Sequence, residues 1–269
     1  MSSAEAREPR IKLVPDYDSS AGDEAIELAA MAGLKLDEWQ QTALRAMLGE
    51  KPDGLWAAFE VGLCVPRQNG KNAILEAREL AGLFLLGERL IVHSAHEFDT
   101  SMEHFLRIRD LIEGTPMLDK RVAAIRTANG KEGIELRSKQ RLRFRARTKG
   151  GGRGWSADLV VFDEAMEIKQ ASHGSILPTL SARENPQVIY TGSAVDEWIH
   201  DHGLVFAKVR ERGIAGDEGL AYFEWSADIG DPKKDDPEAA LDVVTDEGAW
   251  AQANPSLGIR ITTQHVAAE

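Results

Sequence analysis

The stretch of this sequence best suited to chemistry is Val65-Pro66-Arg67-Gln68-Asn69-Gly70-Lys71-Asn72, which joins two apolar segments. The run from Ala57 to Val65 predicts a buried strand, and the segment from Asn72 to Leu86 predicts a helix. A helix N-terminus presents unpaired backbone N–H groups and a partial positive charge, and both attract phosphate. The sequence therefore predicts a phosphate-binding loop, in which Gly70 lets the backbone approach a phosphate and Lys71 reaches its outer oxygens.

This loop departs from the usual pattern G-x-x-x-x-G-K-[ST] at two positions. Val65 stands at the place of the first glycine, and Asn72 stands at the place of the hydroxyl residue that meets Mg²⁺. The amide oxygen of Asn72 is a usable but weaker ligand for the metal. A plain strand-to-helix turn with a surface lysine is an equally good interpretation of the stretch by itself.

A second candidate site follows the apolar run Leu159–Phe162, which predicts another buried strand. A carboxylate at the tip of such a strand holds Mg²⁺, and a neighbouring glutamate orients and deprotonates a water molecule. We assign the first role to Asp163 and the second to Glu164, with two solvated acids as the alternative. Thr191 ends a third apolar run, and the carboxyl ends of parallel strands meet at one edge of a sheet. We therefore expect the three tips to converge.

Strands that alternate with helices predict an α/β fold with a mostly parallel central sheet flanked by helices. We divide the chain into an N-terminal arm (1–34), a nucleotide-binding core (35–200) and a small C-terminal lid subdomain that leads into a linker (201–269). Other predicted elements are helices over 24–31, 37–48, 98–113, 175–182 and 203–212, strands over 90–95 and 222–225, and a hairpin over 132–146.

Charge is unevenly distributed along the chain, whose net charge is −12. The segment from Arg137 to Arg153 has eight basic residues and no acid, whereas 216–247 has eleven acids. The net charge argues against a uniformly basic nucleic-acid-binding coat, but not against a local basic track. The strictly alternating run from Arg141 to Arg147 places its arginines on one face of a strand. That face either follows the phosphates of DNA or is a solvated edge protected by charge.

Composition narrows the class of protein further. The chain has 269 residues, 43% hydrophobic and 28% charged, which is typical of a globular protein with a sizeable core. We expect no membrane span and no signal segment. Cys64 is the only cysteine, which excludes an internal disulfide and a cysteine-based zinc site. A cytosolic location is the simplest expectation.

Together these stretches resemble the ATPase domain of the large terminase subunit of tailed double-stranded DNA phages. The order and spacing of the motifs carry this resemblance, which covers about 35–260. The similar stretches are Trp39-Gln40 (an adenine-side motif), 65–71 (a phosphate loop with an early basic residue), 152–155, 159–165 (an acidic box), 190–193 (a coupling motif) and 253–258 (the approach to a linker).

The resemblance implies a P-loop NTPase of the ASCE class that hydrolyses ATP with Mg²⁺. It implies that Glu164, Lys71 and Arg153 are catalytic and that Asp163 and Asn72 bind the metal. Arg153 follows three glycines and is either an arginine finger for a neighbouring subunit or a solvated loop residue. Arg67 either contacts phosphate or pairs with an acid. The implied nucleotide-binding residues are Arg67, Gln68, Asn69, Gly70, Lys71, Asn72, Gln40 and Thr191.

The resemblance also implies a motor that moves double-stranded DNA into a procapsid in the host cytoplasm. Its implied partners are a portal protein, a small terminase subunit and further copies of the chain in a ring, typically a pentamer. About 75 residues follow Ser193, too few for the nuclease domain that usually follows, so we expect an isolated motor fragment. Two other functions remain open. One is a helicase-like ATPase, although the helicase boxes are missing, and the other is a nucleotide-gated module without turnover.

Overall fold

The computed structural model describes residues 8–127, 132–146, 156–195, 202–228, 230, 243 and 245–268. The strands are β1 (Ile11–Leu13), β2 (Ser19–Ser20), β3 (Gly49–Glu50), β4 (Glu60–Cys64), β5 (Leu90–Ala95), β6 (Val122–Arg126), β7 (Gly133–Leu136), β8 (Arg141–Ala146), β9 (Leu159–Phe162), β10 (Gln187–Gly192) and β11 (Leu220–Glu224). The α-helices are α1 (Gly22–Met31), α2 (Glu38–Met47), α3 (Lys71–Ala81), α4 (Phe98–Glu113), α5 (Pro116–Asp119), α6 (Gln170–Ile176), α7 (Leu204–Ala215), α8 (Glu247–Ala253) and α9 (Thr263–Ala268).

One large sheet organises the described part of the chain, in the order β1-β11-β4-β10-β9-β5-β8-β7-β6. The strands from β11 to β8 run parallel to one another, and β1, β7 and β6 join antiparallel at the edges. The predicted α/β fold with a mostly parallel sheet is therefore confirmed. Strand β10 lies between β4 and β9, so the strand before the glycine-lysine loop and the strand before Asp163 are not direct neighbours.

The central strands of the sheet are buried on both faces, because an apolar layer covers each face. Helices α1 to α4 pack with one face in a core that includes Leu63, Ile74 and Phe105. Helices α6 and α7 pack with the other face, around Phe162 and Phe206. Helix α3 continues as a π-helical turn, Gly82–Leu86, and ends at Gly87 in the left-handed conformation that a helix-ending glycine adopts.

The structure corrects several predicted boundaries. Strand β1 pairs with β11, and β11 pairs with β4, so the sheet takes strands from outside 35–200. Residues 8–34 are thus part of the body of the fold, with α1 packed in the same core as α3. The helix predicted over 175–182 instead begins at Gln170 and gives way to a 3₁₀ turn at Leu177–Thr179. Pro178 explains that change, since proline has no N–H for the α-helical ladder.

A charged cluster lies inside the core between α3, β5 and α4. The Glu79 carboxylate bonds His93 Nδ1 at 2.7 Å and His104 Nε2 at 2.8 Å, and all three side chains are fully buried. The two imidazole rings stack with their centroids 4.1 Å apart. Each carboxylate oxygen of Glu79 makes a direct hydrogen bond with one imidazole, so hydrogen bonds and ion pairing hold the cluster together.

Burial and mutual charge set the ionisation of this cluster. Although burial alone would raise the pKa of Glu79, the two histidines lower it to about 2. Burial lowers the pKa of His93, whereas for His104 the attraction of Glu79 outweighs burial and raises the pKa. Below the raised pKa of His104, the cluster therefore pairs the ionised Glu79 carboxylate with an imidazolium at His104.

We expect Glu79→Gln to lower the free energy of unfolding by about 3–5 kcal/mol near pH 5.5, because it leaves a buried imidazolium without its counter-charge. A raised His104 pKa contributes stability that is complete below its unfolded value, about 6.5. That contribution disappears as pH rises through the folded value, so the deficit should shrink at higher pH. Urea unfolding at several pH values measures it. Glu103→Gln, an exposed change on the same α4, is the control, and an equal effect of the two variants would contradict this account.

Candidate functional site

Three strand ends meet at the carboxyl edge of the sheet, as the sequence predicts. Strand β10 pairs Gly192 with Cys64 of β4 on one side and Tyr190 with Phe162 of β9 on the other. The loop after β4 is tied to β10 by the Val65 N–H, which donates to Gly192 O at 2.9 Å. This register brings the loop that precedes α3 and the acid that follows β9 to the same edge.

Lys71 and Asp163 form the centre of the site. Lys71 Nζ donates to Asp163 Oδ1 at 2.8 Å and to Asn72 Oδ1 at 3.1 Å. Asp163 is fully buried, and burial alone would raise its pKa, but the Lys71 ammonium holds the pKa at about 2. The carboxylate is therefore ionised at all physiological pH values.

The donor set around this ammonium fits a hard divalent cation. The oxygens of Asp163 and Asn72 converge on one positive group from two different elements, and Mg²⁺ prefers carboxylate and amide oxygens. In this structure the Lys71 ammonium supplies the positive charge between these oxygens. The predicted metal ligands Asp163 and Asn72 are brought together by the fold.

Left-handed backbone conformations cluster at this edge. Gly70 has φ 83°, Gln68 has φ 63° and Glu164 has φ 52°. Residues other than glycine in this region cost of order 1–3 kcal/mol and concentrate at functional sites. At Glu164 the conformation turns the chain sharply away from β9 into a 3₁₀ turn, and the Glu164 N–H donates to Asp163 Oδ1 at 2.9 Å. The Glu164 side chain is half-buried.

Residues from the far end of the chain hold the loop in place. Asn69 is buried, and its amide Nδ2 donates to Asn254 Oδ1 at 2.8 Å. The Ser256 N–H donates to Asn69 Oδ1 at 3.1 Å, and Ser256 Oγ donates to Asn69 O at 2.8 Å. Asn69 therefore positions the loop in this structure, with its side chain turned toward the 254–256 segment, and its implied contact with nucleotide stays a prediction.

Gln40 supports the loop from the other side. Its Nε2 donates to Gly70 O at 2.8 Å and its Oε1 accepts from the Asp37 N–H at 2.8 Å. The side chain is fully buried and both ends of its amide are used. Gln40 therefore positions the loop, and its implied adenine-side role stays a prediction. Asp37 in turn accepts from Arg260 Nε at 2.7 Å, which ties the two supporting segments together.

The remaining predicted residues lie in different settings. Arg67 and Gln68 are exposed on the loop, where a ligand can reach them. Thr191 is fully buried, and its Oγ1 has no hydrogen-bond partner among the described residues. Arg153 lies outside the described residues. Sequence reasoning missed the hydrogen bonds of Ser256 to Asn69 and of Arg260 to Asp37, because bonds between residues 187 or more positions apart leave no local pattern.

The sheet order defines an α/β fold with a mostly parallel central sheet. A comparison with solved structures finds the same fold in phage large terminases. The crystal structure of the HK97 bacteriophage large terminase aligns with 93% of this chain, and the alignment covers 50% of the terminase chain, with a TM-score of 0.72 and 20% sequence identity. The large terminase ATPase domain of Thermus phage P74-26 aligns with 68% of this chain, and the alignment covers 72% of that domain's chain, with a TM-score of 0.53 and 18% sequence identity.

These similarities establish a shared fold, and the chain spans half the length of the HK97 large terminase. A scan of protein-family models finds no match, and neither does a search of curated proteins. Within the described residues, no helix combines the length and apolar character needed to cross a bilayer.

We expect Ser256→Ala to weaken ATP binding and to lower the free energy of unfolding by about 1–3 kcal/mol. The change removes the donor to Asn69 O and leaves the buried Trp39 indole N–H, which donates to Ser256 Oγ at 3.1 Å, without an acceptor. Thermal unfolding and titration with ATP measure the two effects. Ser181→Ala removes an exposed hydroxyl elsewhere and is the matched control. Wild-type ATP affinity in Ser256→Ala would show that this support does not shape the loop.

Proposed function

We propose that this chain is the ATP-hydrolysing motor domain of a viral DNA-packaging terminase. The observation that carries the proposal is the convergence of Lys71, Asn72 and Asp163 at 2.8 and 3.1 Å on the edge of an ASCE-type sheet. Such a constellation recognises the phosphates of a nucleotide with its metal. The fold shared with large terminases favours packaging over other uses of the same site.

Each residue of the site has a distinct role in this proposal. Lys71 leaves Asp163 when nucleotide binds and donates to the outer phosphate oxygens, assisted by backbone N–H groups at the start of α3. The exposed Arg67 adds a second positive charge to the phosphates. Asp163 and Asn72 then hold Mg²⁺, which neutralises the phosphate charge when bound.

Glu164 is the general base of the proposed reaction. It follows Asp163 directly in a left-handed backbone conformation at the carboxyl edge of the sheet. It orients a water molecule toward the terminal phosphate and takes a proton from it. The buried Thr191 Oγ1, at the adjacent strand end, is placed to sense the same phosphate and to pass its loss to β10.

The partners follow from the same proposal. The motor acts on double-stranded DNA as a homo-oligomeric ring, a pentamer in this family, with a portal protein and a small terminase subunit at the procapsid. Arg153 acts in trans on the phosphate of a neighbouring subunit. A nucleotide-gated module without turnover is the second candidate, favoured by Asn72 at the position of the usual hydroxyl.

We expect Lys71→Ala to weaken ATP binding by about 10- to 100-fold, because it removes charge-assisted contacts. Glu164→Gln should bind ATP normally and hydrolyse it about 10²–10⁴-fold more slowly, because it loses only the base. Phosphate release and ATP titration measure these effects. Glu184→Gln, the same change at the opposite end of the sheet, is the control. ATP binding without turnover in the wild type would favour the nucleotide-gated module, and normal turnover in Glu164→Gln would contradict the assignment of the base.

We expect two inactive variants to restore activity to each other if Arg153 acts in trans. Arg153→Ala subunits keep Glu164 but have no finger, whereas Glu164→Gln subunits keep the finger but have no base. In a mixed assembly, Arg153 of a Glu164→Gln subunit reaches the nucleotide site of an Arg153→Ala subunit, which keeps Glu164. Turnover should therefore recover and rise with protein concentration. Light scattering establishes assembly. No recovery in assembled mixtures, with turnover independent of concentration, would remove the role in trans.

A further inference from the structure

A compact turn that begins at Ser256 carries Arg260 onto the glycine-lysine loop. The Arg260 N–H and the Ile261 N–H both donate to Ser256 O, at 2.9 and 3.2 Å. The Gly258 N–H donates to Ile261 O at 2.8 Å and closes the turn. Because Ser256 is bonded to Asn69 of the loop through both its N–H and its hydroxyl, the turn is fixed to the loop at its first residue.

The Arg260 side chain lies directly against Gly70 of the loop. A Cβ at Gly70 would lie 3.2 Å from Arg260 Cδ and 3.3 Å from Arg260 Nε. Gly70 also has φ 83°, a conformation that other residues rarely adopt. Glycine here therefore serves two purposes, because it permits the turn of the loop and lets the arginine lie along the backbone at the start of α3.

Arg260 is held by one acid and keeps part of its planar group open. Its Nε donates to Asp37 Oδ2 at 2.7 Å, and within the described residues its two terminal nitrogens make no hydrogen bond. The side chain is 37% exposed. The ion pair offsets the charge of the guanidinium, which argues against a role as a phosphate ligand. Its flat face is the feature that remains available to a ligand.

The turn lies on the opposite side of the loop from Asp163. Ser256 Oγ accepts from Trp39 Nε1 at 3.1 Å, and Trp39 packs edge-on against Trp225, which follows β11, with ring centroids 4.9 Å apart. Strand β11 is next to β4 on one side, whereas β9, which precedes Asp163, lies two strands away on the other. A nucleotide with its outer phosphates near Asp163 can therefore extend its base along the loop toward Arg260.

We propose that Arg260 stacks its guanidinium on the base of the bound nucleotide. This inference rests on the proposed function, because it takes a nucleotide at the glycine-lysine loop as given. Guanidinium groups pack flat on aromatic rings, and such a contact changes affinity by about 2- to 30-fold. Trp39 and Trp225 are buried, so neither offers its ring to a ligand here. Because every base presents a π-face, the contact adds affinity without distinguishing ATP from GTP.

The test compares nucleotides with inorganic tripolyphosphate, which has the phosphates but no base, by calorimetric titration with Mg²⁺. Arg260→Gln should lower the ratio of ATP affinity to tripolyphosphate affinity by about 2- to 30-fold, and the ratio for GTP equally. Arg260→Lys keeps the charge but not the planar group, so it should lower the ratio less. Arg45→Gln is the matched control, because Arg45 Nε also donates to an aspartate at 2.7 Å and its side chain is 39% exposed. It should leave the ratio unchanged.

A second variant separates the base contact from the ion pair. Asp37→Asn keeps an oxygen for the Arg260 Nε–H and a favoured residue before α2, so it should leave the ratio near that of the wild type. A fall in Asp37→Asn as large as in Arg260→Gln would overturn the proposal, since the ion pair alone would then explain the effect. Thermal unfolding must show that the variants are folded, and Arg260→Lys replaces Arg260→Gln if the latter is not.

Two further outcomes decide between this inference and the proposed function. An unchanged ratio in Arg260→Gln, or an equal loss of ATP and tripolyphosphate affinity, overturns the base contact and leaves the nucleotide site in place. A wild-type protein that binds neither ligand contradicts the proposed function, and this inference with it.

Discussion

The ion pair between Lys71 and Asp163 is the interaction on which the rest of this structure depends. It joins the first residue of α3 to the residue after β9, across the intervening strand β10, at 2.8 Å. Asp163 is fully buried, and an ionised carboxylate is stable there only with a positive partner. In the free protein that partner is Lys71. We propose that a metal ion takes this place when nucleotide binds.

Everything around this pair limits how the exchange takes place. The glycine-lysine loop is fixed by Gln40 from one side and by Ser256 from the other, so its backbone stays in position when the lysine moves. The buried cluster around Glu79 links α3 to β5 through His93 and to α4 through His104. A change in the loop is therefore transmitted most directly to the segment around Ser256, which its own hydrogen bonds already link to the loop.

The sequence was sufficient to predict the parts of this design that leave local patterns. Buried strands next to polar tips identified Lys71 and Asp163, and strict alternation placed the arginines of β8 on one face. The pairing of β1 with β11 escaped prediction, because a three-residue strand carries too little periodicity. The positioning contacts of Asn69 and Gln40 also escaped prediction. Each occupies a motif position typical of a ligand contact, but bonds to distant residues turn their side chains toward the protein.

The central claim is that Lys71 holds Asp163 only until nucleotide arrives. A crystal structure with Mg²⁺ and a non-hydrolysable ATP analogue tests it most directly. We expect Lys71 Nζ to lie against phosphate oxygens, well beyond its present 2.8 Å from Asp163 Oδ1, with the metal bound near Asp163 and Asn72. A structure in which nucleotide is bound elsewhere, or in which the ion pair persists beside a bound nucleotide, would contradict the account.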